Sequence, residues 1–170
     1  MLETRDFAQA LADTEQPGAA FDALCRLAQE TVGAKLFTVM TFESETGMAR
    51  RSYSNMPEDY PVSGTKPANE TDWSRQVLRD RQTFVANDIA GIRAVFYDHE
   101  LIDSLGCQSV MNLPITVAGR VIGTINCLHE AGHYTEDRVA AAEALRLPGA
   151  ACLLLARALD DDTPQTGGQK

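Results

Sequence analysis

Basic residues are the first thing this sequence is short of. Lys and Arg together number 15 against 24 Asp and Glu, for a formal net charge of -9. A surface that grips nucleic-acid backbones or anionic lipid needs concentrated positive charge, so the imbalance excludes a general binder of either kind. Long apolar runs are also missing: no unbroken stretch comes near the ~20 apolar residues that cross a bilayer. The start, MLETRDFAQAL, has no basic segment followed by an apolar one and does not read as a secretion signal. The expectation is a cytoplasmic protein with neither membrane nor nucleic acid as a direct partner. The four cysteines, Cys25, Cys107, Cys127 and Cys152, form no CxxC pair and no Cys-His zinc spacing. No metal centre is expected, and the thiols are expected to be reduced, small buried hydrophobes.

What is present is ordinary globular material. At 170 residues with 44% hydrophobic and 23% charged side chains, the chain can build one compact domain with a sizeable core and has little room for a second. Phe21, Leu24, Cys25, Ala28 and Val32 recur at helical spacing between Pro17 and Gly33. KLFTVMTFE and MARRSYSN, separated by SETG, read as a β-hairpin, and residues 55–70, with three Pro and a Gly, read as a long loop. Thr71 caps a helix through DWSRQVLRDR, TFVAND is a short strand, and residues 89–106 read as a loop with one short helix ending at Gly106. A closing helix begins at the cap Thr135 and runs to about residue 158, with Pro148-Gly149 expected to kink or split it. Its second half is apolar nearly all round, which calls for a partner helix. The organisation expected is an N-terminal helical segment over 1–16, one α/β (α+β) domain over 17–158, and a disordered polar tail over 159–170.

Between Gly106 and His129 the sequence alternates, with aliphatic residues at odd positions and Gln108, Asn112, Thr116, Arg120, Thr124 and Asn126 among the even ones. A three-residue loop Val117-Ala118-Gly119, with Gly119 left-handed, predicts a hairpin in which Thr116 faces Arg120. In that register Asn112 faces Thr124, Val110 faces Asn126, Gln108 faces Leu128 and Cys107 faces His129. The odd face is dry. The even face mixes apolar walls with amide and hydroxyl groups, and a slip of one residue would destroy the separation.

The segments SLGCQSVMNLPI, AGRVIGTINCLH and YTEDRVAAAEAL, in this order, resemble a GAF domain over roughly residues 17 to 158. The resemblance implies a central, mostly antiparallel sheet with the first and last helices on one face and a loop-covered small-molecule pocket on the other. It makes Gln108, Asn112, Thr124 and Asn126 candidate ligand contacts, with Trp73, Phe96, Tyr97 and His99 as a possible aromatic and polar cover; a pocket needs apolar walls and a few aimed polar groups. FYDHE at 96–100 lacks the Asp-Glu pair of cyclic-nucleotide binders, and no Cys-His dipeptide marks a bilin site. The family's methionine sulfoxide reductases need an exposed thiolate near a second Cys. Cys107 and Cys127, diagonal in the predicted register at about 7–8 Å, do not supply that. Asp98, His99 and Glu100 are contiguous and read as a solvated helix start.

The expectation is therefore a stand-alone sensory domain, not an enzyme and without catalytic residues, that binds a small molecule of unknown identity. It dimerises through its first and last helices and signals through a separate partner. A ligand-free dimerisation scaffold is the alternative, a free methionine sulfoxide reductase-like enzyme the more remote one, and no cofactor is named by the sequence.

Overall fold

The computed structural model describes residues 4–43, 46–62 and 70–162. Helix α1 spans Thr4–Ala12 and α2 Gly18–Thr31; strands β1 (Leu36–Phe42) and β2 (Ala49–Ser54) follow. A single turn of helix, α3 (Asp72–Ser74), runs on into a wide π turn at Arg75–Arg79. Then come β3 (Phe84–Ala86), α4 (Ile89–Arg93), α5 (His99–Ser104), β4 (Ser109–Val117) and β5 (Arg120–His129). The closing helical stretch consists of α6 (Glu136–Ala141), a 3-10 turn at Ala142–Leu145, and α7 (Arg146–Asp162). The five strands form one sheet in the order β2-β1-β5-β4-β3, antiparallel at every pairing. This is the α+β architecture the order of elements implied.

Both faces of the sheet are buried. On one, α2 and α7 cover Val39, Met111, Leu113, Ile115, Ile125 and Cys127, and Phe21, Leu24 and Ala28 of α2 reach into the same core. On the other, Leu36, Val110 and Leu128 lie under Tyr60, Ile92 of α4 and Ile102 of α5. Within the buried parts of β4 and β5, odd positions therefore meet the helices and even positions the smaller cover, apart from Ile122, which packs on the helical side.

The register of the β4–β5 hairpin differs from the one predicted. The loop has two residues, Ala118 and Gly119, at φ 49° and 77°, and Val117 pairs with Arg120. Two successive positive φ values are the type I′ geometry, whose twist matches that of the strands. A bulge then leaves Ile122 without a partner, so Thr116 pairs with Val121 and Ile115 with Gly123. The two changes sum to a displacement of two residues: Asn112 faces Asn126 rather than Thr124, and Val110 faces Leu128. An even displacement preserves which side chain points to which face, so the assignment of faces holds although the pairs do not. Two residues depart from it: Ile122, which at the bulge packs into the helix-side core, and Cys107. The latter precedes the strand, beyond the turn at Gly106 (φ 76°), and is buried in the second cluster, while Ser109 takes the place opposite His129.

Residues 89–106 hold two short helices instead of one. The unexpected one, α4, is capped by Asp88, whose carboxylate accepts from the Gly91 N–H at 2.7 Å. The neighbouring Asn87 ties this region to the closing helix: its side-chain amide donates to the Tyr134 carbonyl and accepts from the Tyr134 N–H, and its own carbonyl accepts from Gly132 N–H. Thr135 caps α6 as predicted. The split expected at Pro148 falls upstream, because Pro148 cannot donate to the Ala144 carbonyl and the ladder tightens to 3-10 over Ala142–Leu145. Counting unbroken apolar runs missed that Glu136–Asp161 is long and apolar enough, by length and composition, to cross a membrane. In the fold Ala142, Leu145, Cys152, Leu153 and Ala156 of this stretch pack into the core instead. The helix also outlasts the predicted boundary at 158. It continues to Asp162, with Asp160 3.0 Å from the Arg50 guanidinium; residues 163–170 of the expected tail, and 63–69 of the long loop, lie outside the described residues.

Gly149 sets how closely α7 approaches the sheet. A Cβ there would stand 2.7 Å from Ile125 Cδ1 and 3.0 Å from Ile115 Cδ1. Gly149→Val is expected to cost about 1–3 kcal/mol through overpacking, read as a lower urea midpoint; an unchanged midpoint would show that the helix is free to back away.

Candidate functional site

Between the even face of the sheet and its cover lies a partly open cavity of about 170 Å³. That is close to the size of an engineered cavity of about 150 Å³ that admits a benzene ring. Its floor is Thr38 and Met40 from β1, Val110 and Asn112 from β4, and Asn126 and Leu128 from β5. Arg51 of β2, Tyr60, Trp73, Phe96 and Ile102 supply the walls, with Tyr97 and Asp98 beside them.

The polar groups of the floor form one row. Trp73 Nε1 donates to Asn112 Oδ1 at 2.9 Å, Asn112 Nδ2 to Asn126 Oδ1 at 2.7 Å, and Asn126 Nδ2 to Thr38 Oγ1 at 3.1 Å. Asn112, Asn126 and Thr38 are all buried, and burial of an amide is tolerable only where it is hydrogen-bonded. Local structure aims Trp73. Thr71 and Ser74 exchange side-chain and backbone hydrogen bonds in a capping box, and this fixes the single turn that carries the indole.

A second polar group closes one side. The Arg51 guanidinium lies over the Tyr60 ring, 3.9 Å from its centroid, and donates to the Pro61 carbonyl at 2.7 Å. Tyr60 donates its hydroxyl to Asp98 Oδ2 at 2.6 Å, and the same oxygen lies 3.9 Å from Arg51. Burial, and after it the hydrogen bond to the Asp98 carboxylate, holds the Tyr60 phenol above its ordinary range. It is a neutral donor at any physiological pH.

Of the residues the sequence singles out, Asn112, Asn126, Trp73, Phe96 and Tyr97 border the cavity, Tyr97 from an exposed rim. Gln108 does not; its amide turns to Asp103 at 2.7 Å. His99 does not either, its ring nitrogen being engaged with the Phe96 carbonyl. Thr124 is on the right face and fully buried, but it lies off the cavity wall and its hydroxyl has no partner among the described residues. Sequence reasoning missed Thr38, Arg51 and Asp98 as lining residues. Asp98, expected on a solvated helix start, has its side chain only 15% exposed because Tyr60 and Arg51 enclose it. The pairing of Cys107 with His129 is absent: His129 stacks on His133 with centroids 3.6 Å apart, and its Nδ1 accepts from the Glu130 N–H. Burial, then the adjacent His133, lowers the His129 pKa. No group of three metal-ligating side chains occurs among the described residues.

None of the four cysteines borders the cavity; all are buried and unpaired. Burial pushes the Cys25 thiol up to about 11 and Cys152 to about 12, and it raises Cys107 and Cys127 as well. These are the surroundings of inert structural thiols. In the folded protein at pH 8, Cys25, Cys127 and Cys152 are expected to react with a disulfide reagent about 100-fold or more slowly than in the unfolded chain, since the attacking species is the thiolate. A fast-reacting thiol among them, or an intramolecular disulfide in non-reducing mass spectra, would contradict that.

A family profile described as GAF domain matches residues 14–146 of the chain. No curated protein matches it. Among solved structures, the GAF domain of a two-component sensor histidine kinase from Bacillus halodurans is similar at TM-score 0.67 and 15% identity, covering 85% of this chain and 98% of that one. The GAF domain from a phosphoenolpyruvate-protein phosphotransferase of Coxiella burnetii gives TM-score 0.67 and 16% identity over 92% and 94% of the two chains. A GAF domain/HD domain protein from Geobacter sulfurreducens gives 0.65 and 15%, over 88% and 97%. At such identities the structural likeness establishes fold alone. The family match spans most of the sequence and places the chain in the GAF domain family.

Proposed function

We propose that this GAF domain is a cytoplasmic sensory module that binds one small molecule per subunit under the α4–α5 cover, dimerises through its helical face, and passes the ligand's effect to a separate partner. Domains of this family are typically sensory or regulatory small-molecule modules and usually non-catalytic. The observation that carries the reading is the cavity of about 170 Å³ on the face opposite the helices, where aromatic and aliphatic walls surround the Trp73–Asn112–Asn126–Thr38 row. Apolar walls with a few placed polar groups are what a small-molecule site requires. A pure scaffold has no use for them and would close the space with its own side chains.

The dimer rests on a separate feature. Ala144, Leu147, Ala151, Leu154 and Ala158 recur at i, i+3, i+7, i+10 and i+14 along the closing helix, and Leu147 and Leu154 are 81% and 45% exposed. That heptad-like spacing suits a seam between two copies of the helix. Beside it, α2 turns Asp22, Arg26 and Gln29 outward, a polar flank for such a seam.

Native mass spectrometry of freshly purified protein, followed by denaturing extraction, is expected to release one small molecule per subunit. A clean dimer without ligand that also ignores a metabolite thermal-shift panel would favour the scaffold reading. Leu154→Asp is expected to give monomer or aggregate in sedimentation velocity, and a dimer unchanged by it would refute the α7 seam.

A further inference from the structure

The direction of the hydrogen bonds in the polar row constrains what can bind there. An indole N–H only donates, so Trp73 obliges Asn112 to present its oxygen, which turns the Asn112 nitrogen toward Asn126. Asn126 must then meet it with oxygen and turn its own nitrogen to Thr38. The row has one polarity, fixed from one end. Each amide oxygen is already an acceptor, and Thr38 Oγ1 accepts as well. Each of these oxygens keeps a second lone pair, but the hydrogens without a partner among the described residues are the second N–H of each amide and the Thr38 hydroxyl proton, and a buried N–H left unmade is the rarer defect. The floor of the cavity is a row of donors.

Charge is constrained separately. The ionisable side chains bordering the cavity are Arg51, Asp98, Tyr60 and Tyr97. The cation and the carboxylate already share Tyr60 between them, and Arg51 also serves the Pro61 carbonyl. A charged ligand group would have to break this set or lie unpaired in a largely apolar space, and either is costly.

We infer that the cavity takes an uncharged molecule of about single-ring size whose hydrogen-bond acceptor, a carbonyl oxygen or ring nitrogen, meets the Thr38 hydroxyl and the amide hydrogens of Asn112 and Asn126. This rests on the small-molecule reading above and specifies its ligand class. The row selects by polarity of hydrogen bonding, and the paired Arg51 and Asp98 select against ions.

The chain holds a single tryptophan, so the indole N–H of Trp73 gives one NMR signal at the site. Ligand-free protein, prepared by refolding from denaturant, is titrated with four ring probes of similar size: cyclohexanone as acceptor, pyrrole as donor, cyclohexanecarboxylate as anion and cyclohexylammonium as cation. Cyclohexanone is expected to shift the Trp73 indole saturably and to bind at least tenfold more tightly than each of the others, on the order of the cost of burying a mismatched polar or charged group. Thr38→Val keeps the shape and removes the hydroxyl, and is expected to weaken cyclohexanone about three- to tenfold. Tighter binding by pyrrole or by either ion overturns the ligand class while leaving the pocket in place. Failure of all four probes to move the indole overturns the pocket reading together with the inference. The ranking in the unmodified protein decides the matter even if Thr38→Val does not fold.

Discussion

Alternation along β4 and β5 is the constraint on which the rest of this molecule depends. Successive side chains leave a strand on opposite faces, and here both faces are buried, one under α2 and α7 and the other under α4 and α5. A polar residue at an even position in the middle of these strands cannot reach water and must find its partner within the layer, whereas Thr116 and Arg120 at the hairpin end are exposed. Asn112, Asn126 and Thr38 do so by bonding across three adjacent strands, and Trp73 completes the line from the cover. Thr124, one step further along β5, has no such neighbour: it faces Pro114 and Met40, neither of which offers a side-chain hydrogen-bonding group of any strength.

The faces of the hairpin were legible from sequence because parity survives any even displacement. The pairs were not. Asn or Asp before Gly is the usual mark of a type I′ loop, and Ala118 at φ 49° carries no such mark. A Gly-ended three-residue loop fits the same letters, and the bulge at Ile122 leaves no trace in composition. Helix α4 escaped notice for a related reason: five residues are too few to show a period, and only the Asp88 cap announces it. Pro148 was read correctly as incompatible with an unbroken ladder, but its effect appears where the missing donor is felt, one turn before it.

The lining of the candidate site was half legible. Asn112, Asn126 and Trp73 could be found because an amide or indole stands out in an apolar neighbourhood. Thr38 is an unremarkable strand threonine until β1 lies against β5, and Arg51, Tyr60 and Asp98 meet from three separate stretches of chain. Contiguous charge at Asp98–Glu100 suggested solvent, yet the residues part company in space: Asp98 turns inward to Tyr60, while Glu100 stays exposed. Gln108 and His99 were misplaced by the reverse error. Each has a local partner, Asp103 and the Phe96 carbonyl, that sequence alternation alone does not reveal.

Asn87 gives the two halves of the domain a common hinge pin. It sits at the end of β3, one residue before the cap of α4, and holds Gly132 and Tyr134 just ahead of the cap of α6. The lid over the cavity and the root of the closing helical stretch thus hang from the same side chain. A shift of the lid at that point must either break these bonds or carry the root with it, which gives the cavity face a mechanical route around the edge of the sheet to the helical face without passing through the core.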